Sequence, residues 1–206
     1  MKDYFSAVPI YDIKPIAQLQ IDTEEWIKFT VDNFDDAQKK YEKPKEHYGP
    51  QSNKWAKINN DLGRNAHNTW ELNYGMNGDL NEKLIELLGE NNLQALNVIR
   101  ETVLMRLIVK FPGHGVAWHQ DEAASYSKKM TVNFDENYNT EKGTLKRLWF
   151  SVQDWHDGHV IQISKTVLSD VKKGEVYQIP WGAGHASSNF GYTPQMTVSF
   201  TGVIND

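Results

Sequence analysis

The sequence predicts a mainly β protein, a sandwich or barrel of short strands flanked by helices. Three observations predict it. From residue 102 onward, apolar and polar residues alternate in short runs with the two-residue period of a strand. Turn signals at Pro112-Gly113, Asp157-Gly158 and Lys172-Lys173-Gly174 separate those runs. Before residue 101, two segments instead carry helical spacing behind acidic N-cap residues. No repeat, low-complexity tract or linker divides the 206 residues. One domain is expected, with 1–101 as helical and irregular support and 102–206 as the β core.

Ile16 to Ile21 reads as a short strand. Asp22 is an N-cap with Glu25 three residues on, and Ile27, Val31, Phe34 and Tyr41 follow at helical spacing, so a helix is expected to run to Lys43, before Pro44. Tyr48 to Gly78 is polar, holds several Gly and Asn, and reads as a long irregular region around Trp55, Trp70 and Tyr74. Asp79 and Glu82 repeat the cap pattern, and Leu80, Leu84, Leu87 and Leu88 form a short amphipathic helix that stops at Gly89. Val103, Met105, Leu107, Val109 and Phe111 make one face of the first core strand, with Arg106 and Lys110 on the other. Lys129 to Phe134 is a plausible strand. Leu145 to Trp155 sets Leu148, Phe150 and Val152 against Arg147, Trp149, Ser151 and Gln153. Asp157-Gly158 then turns the chain into a strand at His159 to Ile163. Glu175 to Ile179 follows, and finally Gln195 to Val203, where Met196, Val198 and Phe200 oppose Gln195, Thr197 and Ser199. The early helices are expected to cover one sheet.

Composition excludes several functions. The net charge of −5 argues against a general nucleic-acid binder. With no cysteine there is no disulfide framework, thiolate nucleophile or cysteine-held metal cluster. Met1 to Ile21 lacks a signal-peptide core, and no apolar run could span a bilayer. A cytoplasmic protein without membrane or nucleic-acid partners is expected, acting on a small molecule or peptide. Seven Trp and nine Tyr supply either a core rich in aromatics or a lined cleft.

The chemistry concentrates at Phe111–Asp121. A strand ends at Pro112-Gly113, and His119 and Asp121 follow two residues apart. In extended backbone such a pair faces one side and can bind one metal ion. A third ligand is available at His185, in the loop after the Glu175 strand. Two His and one carboxylate occupy one face of a metal and leave the other open, as suits non-haem Fe(II); closed structural zinc sites use four protein ligands.

Four stretches carry a family resemblance: Arg147–Gln153, Gly158–Ile163, Lys173–Pro180 and His185–Gly191. In this order they resemble the core of Fe(II)/2-oxoglutarate-dependent oxygenases, nearest the aspartyl/asparaginyl β-hydroxylase-like group, with some similarity to phage and bacterial prolyl-hydroxylase-like members. The resemblance covers residues 100–203. It implies a double-stranded β-helix (jelly-roll, cupin-like) core, with the metal between two sheets near one open end. It implies His119, Asp121 and His185 as ligands of Fe(II), with 2-oxoglutarate as co-substrate and O2 as oxidant in a hydroxylation. Asp121, a carboxylate, favours hydroxylation over halogenation. Many members place an Arg about ten residues after the distal His; Gln195 stands there instead, with Thr197 two residues on. Arg147 matches a second basic position and is the expected carboxylate anchor, with Gln195, Thr197 and Ser199 as neutral donors and Arg106 in reserve. Trp118 and Asn189 are expected to orient ligands, and Trp149 and His114 to touch substrate.

Two other readings stay open. One is a cupin-like binding protein with the metal absent or inert. The other is a zinc-dependent hydrolase using the same triad, with Glu122 as base. His156 and His159, with Asp154, offer either a second metal site or a polar hairpin tip, the commoner reading, and Tyr126 and Trp181 either line the substrate cleft or, as most such aromatics do, pack in the core. Asp135 to Gly143 reads as a solvated loop, and His47 and His67 carry no spacing signal.

Overall fold

The computed structural model describes residues 11–41, 70–75, 78–121, 123, 126 and 132–205. Most of the Tyr48–Gly78 region, His47, Trp55, His67, Glu122 and the start of the Lys129–Phe134 run lie outside the described residues.

The strands in chain order are β1 (Pro15–Gln18), β2 (Gln38–Tyr41), β3 (Trp70–Gly75), β4 (Leu104–Lys110), β5 (His114–His119), β6 (Asn139–Thr140), β7 (Gly143–Ser151), β8 (His159–Ile163), β9 (Thr166–Leu168), β10 (Glu175–Gln178), β11 (His185–Asn189) and β12 (Gln195–Ile204). One sheet runs β1-β10-β7-β12-β4-β3-β2, with β6 on β7, and the other runs β5-β11-β8-β9. Every pairing is antiparallel. Counting β4, β5 and β7–β12 as one to eight, the sheets read 6-3-8-1 and 2-7-4-5. That alternation between two sheets is the double-stranded β-helix, a jelly roll.

The strand parity has a simple consequence. On the large sheet, Met105, Leu107, Leu148, Phe150, Val198 and Phe200 point outward into the main core. Helices α1 (Thr23–Asp32), α2 (Asp79–Leu88) and α3 (Glu90–Ala95) cover that face with Trp26, Leu84, Ile85, Leu88 and Leu93. The intervening residues, including Arg106, Lys110, Arg147 and Ser199, therefore face the second sheet and line the space between the two. Among the described residues, no helix is long and apolar enough to cross a membrane.

Several local expectations are corrected. Asp22 does cap α1, accepting from the Glu24 N–H at 2.9 Å, but the helix ends at Asp32 rather than Lys43. The Asn33 side chain donates to Phe29 O and stops it, and Gln38–Tyr41 pairs with β3 instead. Trp26 carries the buried face, while Ile27, Val31 and Phe34 are exposed. Trp70–Gly75 is strand β3, within what reads as irregular sequence, because it gains a ladder on β4. Asp79 opens α2 from inside; Gly78 is its N-cap. Helix α3 and strand β9 are too short to show a period. Val132 to Phe134 is not strand. Asp157-Gly158 makes no hairpin: β7 and β8 belong to different sheets, so the turn carries the chain across the sandwich. Asn139–Thr140 pairs with β7 inside the expected loop.

Candidate metal centre and its cavity

His119 ends β5 and His185 begins β11, and the two are Cα partners in the ladder. His185 is thus a strand residue rather than a loop residue. A bulge follows at once: Ser187 pairs with Val116, so two residues of β5 oppose one of β11. The extra residue re-aims the strand, and both Val116 and His119 face the cavity despite their odd spacing. The imidazole rings lie 4.1 Å apart, centre to centre. Asp121 follows two residues on, with Oδ1 3.8 Å from His119 Nε2 and Oδ2 3.6 Å from His185 Nε2. One donor atom from each of the three lies within 4.8 Å of the others, an arrangement able to hold a metal ion. Ligand atoms about 2.1 Å from a shared ion lie about 3–3.4 Å apart, so small rotations complete the fit.

Local contacts prepare the donors. His185 Nδ1–H donates to Ala183 O at 3.1 Å, which leaves the Nε2 lone pair directed at the site. Gly184 is required beside it, since a Cβ there would come within 2.5 Å of the Trp118 ring. Trp118, half exposed, thus lays its ring against Gly184, next to His185.

Arg147 extends from β7 into the same place. Its Nη2 donates to Asp121 Oδ2 at 2.7 Å and to His185 Nε2 at 2.8 Å. The guanidinium meets two of the three candidate ligands, which is closer to the triad than a carboxylate anchor needs to be. Burial raises the Asp121 carboxyl, but Arg147, His185, His119 and Arg106 together outweigh it and hold the group below its ordinary value. Burial first, then Arg147 and His119, pushes His185 down to about 4, so its ring is neutral at physiological pH. Burial lowers Arg147 too, partly opposed by Asp121.

The triad opens on a cavity of about 220 Å³ between the sheets, lined also by Arg106, Ile108, Lys110, Trp149, Ser187 and Ser199. Its lining carries three cations, Arg106, Lys110 and Arg147, against one carboxylate, Asp121. Gln195 and Thr197 are fully buried on the same sheet, and neither has a side-chain hydrogen-bond partner among the described residues. Lys110, which shares its strand face with Arg106 in the sequence, is a cavity residue that the sequence pattern did not assign to the site.

The structure separates other candidates from the triad. Asn189 sits at the far end of β11, donating to Lys110 O and Thr193 O and accepting from Gly191 N, so it ties down a turn rather than orienting a ligand. His114 is opposite Asn189, also at that end. Trp149 lines the cavity and stacks edge-on against Trp155. His159 is buried, its Nε2 3.1 Å from Thr193 O. Tyr126 and Trp181 pack in a small core, Tyr126 donating to Thr102 O and Trp181 to Leu145 O.

No protein-family model matches the chain, and no curated protein matches it by sequence. Solved structures with a similar arrangement include a predicted oxalate decarboxylase from Thermotoga maritima, at 12% identity and TM-score 0.36, over 66% of this chain and 82% of that one. A cupin domain from Bordetella pertussis is 14% identical at TM-score 0.31, over 49% and 80%. A cupin domain from Schizosaccharomyces pombe is 10% identical at TM-score 0.33, over 49% and 56%. The strand order, not these distant similarities, defines the fold.

Proposed function

We propose that the chain is an Fe(II)- and 2-oxoglutarate-dependent dioxygenase. It would hydroxylate an unactivated C–H bond of an amino-acid side chain, peptidyl or free, or of a small metabolite. The observation that carries this reading is the convergence of His119, Asp121 and His185 at a small cavity whose other charges are cations. Two imidazoles and one carboxylate suit a divalent transition metal with open positions. The positive lining suits an anionic ligand, whose charge it complements. The cavity is smaller than the 300–1,000 Å³ typical of larger ligands, which favours a short acid.

His119, Asp121 and His185 would hold the iron. When bound, iron and 2-oxoglutarate supply the oxidation, in which O2 converts the acid to succinate and CO2 while a substrate C–H becomes C–OH. The protein's share is placement. Ala183 O fixes the His185 tautomer, and Trp118 packs on Gly184 beside it. Ile108, Val116 and Ile161 give the cavity dry walls, and Arg106 and Ser199 face the acid from the large sheet.

The test is anaerobic addition of Fe(II) and 2-oxoglutarate to the protein, with a weak visible charge-transfer band expected. No band, with tight zinc binding in its place, would sink the oxygenase and favour a hydrolase. A second reading, an inert cupin-type binding protein, has one observation in its favour: the Arg147 guanidinium occupies two donors as a built-in cation. On that reading equilibrium dialysis finds no bound Fe(II), Co(II) or Zn(II).

A further inference from the structure

We infer that Lys110, together with Gln195 and Thr197, forms the seat for the far carboxylate of a short dicarboxylate at the end of the cavity away from the triad. The inference rests on the dioxygenase reading and assigns its co-substrate anchor to β4 rather than to Arg147.

Lys110 is 3% exposed and lines the cavity at the opposite end of β4 from Arg106. Its Cα partner on β12 is Gln195, so the two side chains share the inner face, side by side. Gln195 is 1% exposed, and neither its Oε1 nor its Nε2 has a hydrogen-bond partner among the described residues. Thr197, two residues on and on the same face, is equally buried, and its hydroxyl is equally unpartnered. Buried polar groups in folded proteins are nearly always bonded. Here two adjacent side chains leave three such atoms unpaired beside a buried ammonium. A carboxylate answers this set: its oxygens accept from Lys110 Nζ, Gln195 Nε2 and Thr197 Oγ1, and Gln195 Oε1 remains to accept from Lys110.

Position supports the same assignment. Arg147 pairs with Thr201 on β12, three inner-face levels from Gln195, and its guanidinium is held by Asp121 and His185. Arg106 pairs with Ser199 and adds to the field on Asp121, which places it at the triad end. From Arg106 to Lys110 the strand rises about 13 Å between Cα atoms. Arg106 and Lys110 thus bracket a space longer than the ~5 Å between the carboxyl carbons of a five-carbon diacid.

The test compares two acids on Mn(II)-loaded protein by calorimetry. 2-Oxoglutarate carries the far carboxylate; 2-oxobutyrate has the same metal-binding head and lacks it. Wild-type protein should prefer 2-oxoglutarate. Lys110→Met should weaken 2-oxoglutarate by roughly 10- to 100-fold, the scale of a charge-assisted bond, and leave 2-oxobutyrate and Mn(II) affinity unchanged. Lys110→Arg, or Lys110→Met combined with Gln195→Arg, should recover most of the preference. Glu71 on β3 is the other Cα partner of Lys110. If Lys110 served only that side of the sheet, Lys110→Met would cost stability and leave the preference intact, which overturns the inference alone. Equal binding of both acids by wild type also overturns it alone. Wild-type protein that takes neither acid overturns the dioxygenase reading and the inference together.

Discussion

Replacing Arg147 with methionine should tighten metal binding while loosening the metal-free fold. With Nδ1–H on Ala183 O, His185 has one lone pair, on Nε2, and Arg147 takes it at 2.8 Å while holding Asp121 Oδ2 at 2.7 Å. A metal ion and the guanidinium cannot share that lone pair, so loading must displace the arginine. A hydrogen bond to a charged group is worth about 1.5–3 kcal/mol. The displaced side chain regains part of two such bonds from solvent, and a net loss near one bond is expected. Methionine removes this competitor, and at 1.4 kcal/mol per tenfold the metal dissociation constant should fall by about 10- to 100-fold. Without metal, Asp121 loses its nearest cation and the fold should lose roughly 1–3 kcal/mol. A Co(II) competition titration against a chelating indicator near neutral pH measures the first effect, and urea unfolding the second. An unchanged or weaker Co(II) affinity in a folded Arg147→Met protein would refute the competition.

Two further outcomes are expected. The metal-free protein should lose stability on acidification between pH 6.5 and about 4, because His185 titrates near 4 in the fold and at 6.5 when unfolded. The unfolded chain binds the extra proton in that window, so the contribution is whole above pH 6.5 and lost below it, by at most about 3 kcal/mol; urea midpoints of wild type and His185→Gln should converge at low pH, and parallel curves would count against it. Trp26→Ala should destabilise by about 3–5 kcal/mol, because Trp26 is 1% exposed and meets Phe150 edge-on at 6.2 Å; a loss under 1 kcal/mol in thermal or urea unfolding would mean that α1 is not anchored through this ring.

The second half of the chain was legible because its strands carry their own signal. Leu148, Phe150 and Val152 alternating with Arg147, Trp149 and Ser151 state both the strand and which residues face inward, and the burial follows that parity. The first half was less legible. Gln38–Tyr41 and Trp70–Gly75 have no strong period and are strands because they pair with each other and with β4. Ladder bonds to distant chain outweigh local preference at such places. Within the site, the His-x-Asp pair was visible from spacing alone. The distal histidine was available in the sequence as a third ligand, but its position in a strand opposite His119 was not visible, because a bulge sets that register.

The sequence by itself determined the β class, the inward parity of the core strands, the capped helix at Asp22 and a candidate set of three donors. The class, the parity and the cap depend on residues close in the chain, so short-range pattern suffices to state them; the third donor was named by residue type alone. Only the tertiary structure decided that the eight core strands alternate between two sheets, that Asp157-Gly158 crosses rather than closes a hairpin, and that Asn189 and His114 lie at the end opposite the triad. It alone turned Arg147 onto Asp121 and His185 and set Lys110 beside Gln195. The reason is physical: strand register and inter-sheet stacking choose which distant side chains share a face, and that choice places each charge.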